Sequence, residues 1–525
     1  MARRTWLSWH LVMKNRSINS GTYAGIAIHL STYACLRLPL ALLRMAARKE
    51  TRRRWAMATM SACLALIAGS LAAESVRIYP SPAGEPLATN FSVTIGRQSV
   101  PVYIAQVAAL GTAKQSGMFI PYDTAFASFD LQGSVTVSVT CPEAVIRANI
   151  LPNSSGVTPT ISGHTLTFTV SKPCQLEVEV NGDWMHSLQF FVNPIETNAP
   201  RPDDPDVIYF GPGVHQVEDL QVGSGKTVYI AGGAVVYGKV KPDVNSRHNV
   251  SAISELGGGA VFSLAGDNIK ICGRGIIDGS LCPNHTRNLI SVCGTNISLE
   301  GVIVRDSSTW TIPIHSSEHV TVENIKVFGY RGNSDGIDIC NSRHVIVSGC
   351  FLRTMDDLVV VKTPVKGAGE SRDITVSGCV LWNELAQALN IGAELRENVE
   401  DVTFSDCDII HDKGREWLLR VYNCDDADVH NVTFDNIRIG ESKRLISLWI
   451  GKAKWSSDNE RGHIDNITFQ NIRAVGLHPS SDLNGFDAQH EIDDVVFKNI
   501  VINGQPLTPA NVHQNAFVHG IQMTP

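Results

Sequence analysis

Two stretches of the chain differ in their pattern of apolar and polar positions, and each pattern predicts a different β architecture. From Ser75 to about Pro194 the two kinds of residue alternate with period two, as in SVTVSVT (134–140), TLTFTV (165–170) and QLEVEV (175–180). Short alternating runs separated by Gly, Pro, Asn and Ser are typical of strands with one buried face. The pattern predicts a β-sandwich domain of antiparallel strands over residues 74–194.

A change of composition marks the end of this first domain. The segment NPIETNAPRPDDPD (193–206) is rich in Pro, Asn and Asp and has no alternation. Such segments connect folded units. We therefore predict a linker at 195–206 and a second domain at 207–525.

The second stretch is repetitive. Nine segments of one shape, from NIKICGRGI to DVVFKNIVI, begin 23 to 35 residues apart, at Asn268, Asn296, His319, His344, Asp373, Asp401, Asn431, Asn466 and Asp494. Repeats of this length with strand signals alone are typical of stacked coils. The predicted fold class is all-β, a right-handed parallel β-helix with an N-terminal antiparallel β-sandwich. Cys350, Cys379 and Cys407 hold one place in three successive repeats and are predicted to stack inside the coil as small apolar residues.

Residues 1–73 have the pattern of a targeting region. Three arginines at 52–54 precede an apolar run, and the small residues that end at Ala73 offer a signal-peptidase site. Met45 is a candidate for the true start because a complete signal follows it, and a membrane anchor at 22–46 is the alternative. We expect a secreted or periplasmic protein with no stable membrane insertion after signal removal.

Composition narrows the classes of partner. Apolar residues make up 43% of the chain and charged residues 18%, which suits a large buried core. The formal net charge of −7 provides no basic face for nucleic acid and argues weakly against a strongly polyanionic substrate. The twelve cysteines include no C-x-x-C pair, so no metal site is predicted from them, although Cys141 and Cys174 could form a disulfide in an oxidising compartment. Oligomeric state is not indicated.

Two acidic clusters carry the candidate chemistry. GNSDGIDI contains Asp335 and Asp338, and RTMDDLVVVK contains Asp356 and Asp357. Asp335 and Asp356 are 21 residues apart, close to one coil, which predicts that they lie on neighbouring rungs about 5 Å apart. Crowded carboxyl groups repel, so one of them keeps its proton more easily than an isolated Asp. A general acid beside a general base is what cleavage of a glycosidic bond requires.

Clustered carboxylates have other uses as well. Aspartates often occupy the turns between coils without any chemical role, and a calcium site would suit a polysaccharide lyase. Such a lyase also needs a Lys or Arg base, for which Lys362 is the one nearby candidate.

At these residues the sequence resembles family 28 of the glycoside hydrolases, the polygalacturonases, and more distantly the dextranase and isopullulanase family of the same clan. NSDGID (333–338), the Asp356–Asp357 pair and GRGIIDGS (273–280) carry the resemblance. It implies that Asp356 is the general acid, that Asp335 and Asp357 hold and deprotonate the attacking water, and that the anomeric centre is inverted. It implies no metal and no organic cofactor.

The sequence also departs from that family. The family's Gly-His-Gly segment is replaced by AQALNIGAE (386–394), and its Arg-Ile-Lys segment is replaced by Arg420-Val421-Tyr422. The loss of the Lys makes polygalacturonate doubtful, and VLWN (380–383) and DIIH (408–411) are closer to the dextranase side of the clan. Candidate contacts for a polysaccharide or oligosaccharide substrate are Asn333, Arg420, Tyr422, Glu394, Asn390, Trp310 and Trp449, with His315 and His411 as possible helpers in proton transfer.

Two other classes of function stay open at this stage. One is a β-helix lyase or epimerase acting on uronates, and the other is a non-catalytic glycan-binding protein. The end of a β-helix exposes unpaired strand edges that need covering. The sandwich domain could bind carbohydrate or brace one end of the helix, and we expect bracing.

Overall fold

The structure is a computed structural model that describes residues 75–108, 120–240 and 259–525. The predicted signal peptide, the alternative anchor and the candidate start at Met45 lie outside the described residues. Within these three ranges no helix is long and apolar enough to cross a membrane. The helical segments of the described chain are two single 3₁₀ turns, Asn153–Ser155 and Pro509–Asn511.

Two packed sheets form the N-terminal part. Their strands are β1 (Ser75–Arg77), β2 (Ser92–Ile95), β3 (Gln98–Val100), β4 (Val102–Val107), β5 (Tyr122–Gln132), β6 (Val135–Thr140), β7 (Ala148–Leu151), β8 (Thr160–Ser162), β9 (Thr165–Val170), β10 (Cys174–Val180) and β11 (Asp183–Pro194). One sheet has the order β1-β5-β11-β10-β7 with β4 beside β5, and the other has the order β3-β2-β6-β9-β8. Neighbours are antiparallel, as the period-two pattern predicted, except for the parallel pair β5 and β11.

The described residues from 207 onward form one sheet of 31 strands wound into coils, and its pairs are parallel except for β39 and β40. The strands are β12 (Val207–Phe210), β13 (Gly213–Val217), β14 (Leu220–Val222), β15 (Thr227–Ile230), β16 (Ala234–Gly238), β17 (Ala260–Gly273), β18 (Ile276–Asp278), β19 (Asn288–Glu300), β20 (Ile303–Arg305), β21 (Ile312–His315), β22 (Glu318–Glu323), β23 (Lys326–Phe328), β24 (Ile337–Cys340), β25 (Arg343–Ser348), β26 (Phe351–Thr354), β27 (Val359–Thr363), β28 (Ser371–Ser377), β29 (Val380–Asn383), β30 (Leu389–Leu395), β31 (Val399–Ser405), β32 (Asp408–Asp412), β33 (Leu419–Asn423), β34 (Val429–Asp435), β35 (Arg438–Ile450), β36 (Ile464–Gln470), β37 (Arg473–Asn484), β38 (Ile492–Lys498), β39 (Val501–Ile502), β40 (Gln505–Pro506), β41 (Val512–Gln514) and β42 (Gln522–Thr524). Each strand pairs mainly with the strand three positions later, so the predicted right-handed parallel β-helix is confirmed.

This pairing gives the coil three faces. We call β21, β24, β27, β30, β33 and the end of β35 the site sheet, and β16, β18, β20, β23, β26, β29 and β32 the sandwich-facing sheet. The third face is made by β22, β25, β28, β31, β34, β36 and β38. Each rung passes from the sandwich-facing sheet through a turn into the site sheet, so this turn is where the candidate chemistry lies.

The residues that begin the nine repeats have a common backbone conformation. All nine have positive φ, from 50° at Asp494 to 58° at Asn268. Asn, Asp and His enter this left-handed region more readily than other residues that carry a side chain. The turns also stack, since Asn431 Nδ2 donates to Asp401 Oδ1 (3.1 Å) and Asn466 Nδ2 donates to Asn431 Oδ1 (2.7 Å). The repeated polar residue therefore marks a bend within a strand of each coil.

Inward-facing positions fill the coil with apolar ladders. Phe404, Phe434, Phe469 and Phe497 stack on successive rungs, with ring centroids 4.8, 4.8 and 5.5 Å apart. The three cysteines of the predicted ladder are fully buried free thiols one rung apart. Ladders of this kind bury apolar surface at every rung and stabilise the coil along its length.

The sandwich covers a side of the β-helix, and the prediction that it braces one end is wrong. Phe126 and Phe191 from the sandwich pack in one buried cluster with residues of the sandwich-facing sheet that run from Val235 on β16 to Ile410 on β32. Buried ion pairs join the two parts as well, with Arg274 Nε 3.0 Å from Asp130 Oδ1 and Arg305 Nη2 2.5 Å from Glu85 Oε1. The cause is the apolar outer face of the sandwich-facing sheet, which must itself be buried. Residues 74–525 form one compact unit, so the division at 194–207 stays a prediction.

The disulfide suggested for Cys141 and Cys174 is absent, since both are free thiols. Cys141 follows β6 of one sheet, whereas Cys174 begins β10 of the other sheet. The two strands therefore do not place them as a cross-strand pair.

The interface between sandwich and coil contains two groups whose protonation is coupled to folding. Neither carboxylate oxygen of the fully buried Glu177 has a hydrogen-bond partner, and burial raises its pKa to about 7. His411 lies 2.6 Å from Glu179 and 3.0 Å from Glu441. Burial lowers the pKa of His411, but the hydrogen bonds to the two glutamates outweigh burial and raise it to about 9.

We expect the free energy of unfolding to fall as the pH rises from about 5 to 9. A raised folded-state pKa means that the folded protein binds more protons than the unfolded protein. The stabilisation contributed by Glu177 is therefore lost between about pH 4.5 and 7, and the stabilisation contributed by His411 is lost between about pH 6.5 and 9. Glu177→Gln should abolish the fall between about pH 4.5 and 7. At pH 8 the free energy of unfolding of this variant should exceed that of wild type by on the order of 2–3 kcal/mol. Thermal unfolding across this pH range measures the change in stability, and Glu143→Gln on the exposed surface is the control. Parallel curves for wild type and Glu177→Gln would contradict the prediction.

Candidate active site

Three carboxyl groups converge in the turns that lead into the site sheet. Asp335 lies in the turn before β24, and Asp356 and Asp357 lie in the turn before β27. Ile337 pairs with Val359, so the two turns stand on neighbouring rungs. One oxygen of each carboxyl group lies within 4.8 Å of the other two. The structure thus brings the three predicted catalytic residues together around one point.

These carboxyl groups differ in burial, and all three have raised pKa values. Asp335 and Asp357 are almost fully buried, whereas Asp356 is half-buried and reaches the surface. Burial, together with Asp338 and Asp356, raises the pKa of Asp335 well above its usual range. Burial and the Asp356 carboxyl group raise the pKa of Asp357 to about 8, and burial raises the pKa of Asp356 too. The cluster therefore retains protons at neutral pH, which places acidic and basic groups side by side.

Asp357 is held by the next rung. Its Oδ1 accepts from the backbone N–H of Gln387 (3.2 Å), and its Oδ2 accepts from Asn390 Nδ2 (3.3 Å). With Nε2 turned towards the carboxylate, Gln387 also donates to Asp357 Oδ1 and accepts from Arg420 Nη1 (2.8 Å). Gln387 was missed in the sequence, although it lies in the segment that replaces Gly-His-Gly. Its position one rung beyond Asp357 was the available signal.

A buried lysine supplies the positive charge at this centre. Lys362 Nζ lies 3.1 Å from Asp338, 3.5 Å from Asp335 and 3.9 Å from Glu394. It also lies 4.0 Å from the centroid of the Trp310 ring. Despite burial, which lowers it, the pKa of Lys362 is raised well above its usual value by Glu394, Asp338 and the other carboxylates. A lysine held in its charged form is poorly suited to act as the base of a lyase.

The sandwich-facing sheet of the coil supports these turns from behind. Arg353 on β26 is fully buried, stacks 3.4 Å from the Trp382 ring and pairs with Glu384 at 2.7 Å. The next residue, Thr354, donates through Oγ1 to the backbone carbonyl of Asp356 (2.8 Å). The strand that faces the sandwich therefore fixes the start of the acidic turn.

The remaining predicted sugar contacts lie around the acidic centre or on the rungs next to it. Asn333 has a left-handed backbone (φ 61°), and its backbone N–H lowers the pKa of Asp356. The guanidinium of Arg420 lies 3.8 Å from the Tyr422 ring centroid. Tyr422 contacts Trp449 of the next rung, with centroids 4.9 Å apart. Glu394 and Trp310 are joined to the centre through Lys362, as described above.

The two histidines suggested as helpers have different places. His315 is on the site sheet beside Trp310, where burial and Lys362 lower its pKa to about 4, so it is neutral. His411 lies on β32 and bonds to Glu179 of the sandwich, so it does not reach the acidic centre. The suggestion that His411 assists proton transfer is therefore wrong.

Residues 215–517, more than half of the chain, match the model of a family described as glycosyl hydrolases family 28. "Probable endopolygalacturonase E" of Aspergillus niger is 22% identical over 197 residues, which cover 36% of this chain and 50% of that protein. A polygalacturonase of Gossypium barbadense is 21% identical over 239 residues, 41% of this chain and 57% of that protein. The chain thus spans about half the length of these relatives.

A likeness to a solved structure extends over more of the chain. Dex49A from Penicillium minioluteum superposes with a TM-score of 0.59 at 13% sequence identity, covering 85% of this chain and 96% of that chain. At this identity the likeness shows the fold alone.

Proposed function

Because the chain belongs to family 28 of the glycosyl hydrolases, we propose that it hydrolyses glycosidic bonds of a polysaccharide or oligosaccharide through Asp335, Asp356 and Asp357. The observation that carries this proposal is the convergence of three carboxyl groups within 4.8 Å, with protons retained among them. Hydrolysis needs a proton donor for the leaving oxygen and a base for the attacking water. The cluster supplies both without an added group.

The exposure of the three residues supports an assignment of roles. Asp356 is the half-buried member, so its carboxyl group can contact a glycosidic oxygen of a bound substrate and donate a proton to that oxygen. Water then attacks the anomeric carbon, the bond from that carbon to the leaving oxygen breaks, and the water proton passes to Asp335 or Asp357. The products are two shorter glycans, one with a new reducing end.

The stereochemical outcome is part of the proposal and has a rival. Family resemblance implies inversion, whereas carboxyl oxygens within 4.8 Å of each other are closer to the spacing of retaining enzymes, about 5–5.5 Å, than to the 6.5–9.5 Å usual for inverting ones. We propose inversion, because three carboxyl groups can hold one water between them. Proton NMR of the first-formed anomer distinguishes inversion from retention. An anomer of unchanged configuration would establish the retaining mechanism.

The lyase alternative fits the site less well. Its base would have to be Lys362, which three carboxylates keep protonated, and its cation would compete with that ammonium 3.5 Å from Asp335. We also propose export to the periplasm or beyond, on the basis of residues 1–73.

A panel of polysaccharides tests the proposed function. The purified full-length chain is incubated with α-glucans, galactans, rhamnogalacturonan and polygalacturonate, and new reducing ends and unsaturated-product absorbance are measured. We expect reducing ends without absorbance on at least one substrate. Unsaturated product would establish a lyase instead, and binding without any cleavage would favour the non-catalytic glycan-binding alternative.

A further inference from the structure

The acidic centre is poorly balanced by positive charge. Five carboxyl groups belong to it: Asp335, Asp338, Asp356, Asp357 and Glu394. Among the ion pairs of the described residues, Lys362 is the one cation in contact with any of them. Even if two of the five keep a proton, the centre carries more negative than positive charge. Lys362 is thus already paired with three carboxyl groups of the protein, so it is not free to bind the carboxylate of a uronate.

The second cation of the site is already occupied. Arg420 is only 8% exposed, its Nη1 lies 3.3 Å from Glu416 Oε2, and its plane is stacked on the Tyr422 ring. Its Nε is buried and has no hydrogen-bond partner, so the Nε–Nη2 edge, which could bind a carboxylate with two parallel hydrogen bonds, is not accessible to a ligand. Arg420 therefore holds Gln387 and Tyr422 in place and offers no free fork to a uronate.

Aromatic side chains lie beside Arg420 on its own rung and on the part of the chain that follows. Tyr422 on β33 pairs with Trp449 on β35, and the ring of Trp455 lies 6.2 Å from Tyr422. Trp455 is 45% exposed, which is unusual for so large an apolar ring. We call Tyr422, Trp449 and Trp455 the aromatic wall. Rings of this kind pack against the apolar faces of uncharged sugars.

We propose that the substrate is a neutral glycan, with sugar units next to the cleaved bond bound against the aromatic wall. The inference rests on the proposed function, since it names the substrate class of the same site. Its basis is that Lys362 and Arg420 are both engaged by groups of the protein, together with the exposed ring of Trp455. Lys454, 4.2 Å from the Trp455 ring, is the exposed cation of the wall, and water and salt screen its charge.

Direct binding tests this inference separately from cleavage. The full chain with Asp356→Asn is titrated with dextran, galactan and polygalacturonate while tryptophan fluorescence is followed, so that hydrolysis does not consume the ligand. We expect saturable binding of a neutral polysaccharide and none of polygalacturonate at low salt. Adding Trp455→Ala should weaken binding of the neutral ligand roughly 5- to 10-fold. Tyr209→Ala, which removes one ring of a tilted tyrosine pair on the first rungs, should leave that binding unchanged.

Each outcome decides one question. Polygalacturonate bound more tightly than both neutral polymers, or neither neutral polymer bound, would overturn the inference. Neutral binding that Trp455→Ala leaves unchanged would overturn the aromatic wall as its location. A neutral polymer that binds but is never cleaved by wild type would leave this inference standing and would refute the proposed hydrolase.

Discussion

Replacing Asp356 with Asn is expected to lower kcat by about 10²–10⁴-fold on the polysaccharide that wild type cleaves best. Asn has nearly the same shape but has no carboxyl proton to give to the leaving oxygen. Asp356 is half-buried and accepts a hydrogen bond from the backbone N–H of Asp357 at 3.1 Å, which an Asn side-chain oxygen can also accept. The fold should therefore survive, and the loss should be chemical.

A substrate with an activated leaving group separates the acid from the other two residues. A dinitrophenyl glycoside of the preferred sugar needs no protonation of its leaving oxygen, so Asp356→Asn should keep most of its kcat on it. Asp335→Asn and Asp357→Asn should remain impaired, because water still has to be deprotonated. Asp465→Asn, on the exposed surface of β36, is the matched control. Equal losses on both kinds of substrate would contradict the assignment of Asp356 as the acid.

The coil could be predicted because each rung has the same local sequence pattern. An Asn, Asp or His at the start of each repeat adopts the left-handed turn, and alternating apolar residues follow it into the core. The 21-residue interval from Asp335 to Asp356 likewise predicted neighbouring rungs, since position in a coil converts directly into position along the axis.

The packing of the sandwich could not be predicted in this way. Its contacts join residues far apart in the chain, such as Glu85 and Arg305, which are 220 positions apart. No local period in the sequence marks such a pair. In the sequence, an apolar residue that faces out of the coil on β23 or β26 cannot be distinguished from one that faces into the core. The prediction that the sandwich braces one end was based on the need to cover unpaired strand edges at the end of a β-helix. It did not take into account the apolar side of the coil.

Parts of the candidate site were hidden for a related reason. Lys362 follows Asp357 by five residues and looked like a possible base, but its environment depends on Trp310 and Glu394 from other rungs. Gln387 lies in a segment that attracted notice only for the histidine it lacks. Residue type and interval indicate which groups are near each other, whereas protonation depends on burial and on all neighbouring charges.

Lys362→Met is expected to shift the pH dependence of the reaction as well as its rate. Lys362 lowers the pKa of all four aspartates at this centre, Asp335, Asp338, Asp356 and Asp357. Removing its charge raises those pKa values further, so the base that must be ionised loses its proton only at higher pH. The acid limb of the kcat/KM profile should therefore move up by about 1–3 pH units, the range an adjacent opposite charge controls.

Two comparison variants isolate the charge from the packing. Lys362→Arg keeps a cation between the carboxylates and should leave the acid limb near its wild-type position, even if the bulkier group lowers the rate. Lys366→Met removes an exposed lysine that pairs with Asp426 at 2.9 Å, and it should change neither the rate nor the profile. A uniform loss of rate in Lys362→Met with an unmoved acid limb would mean that this lysine only fills space. A shift confined to Lys362→Met would show that the charge of this buried ammonium sets the pH at which the base loses its proton.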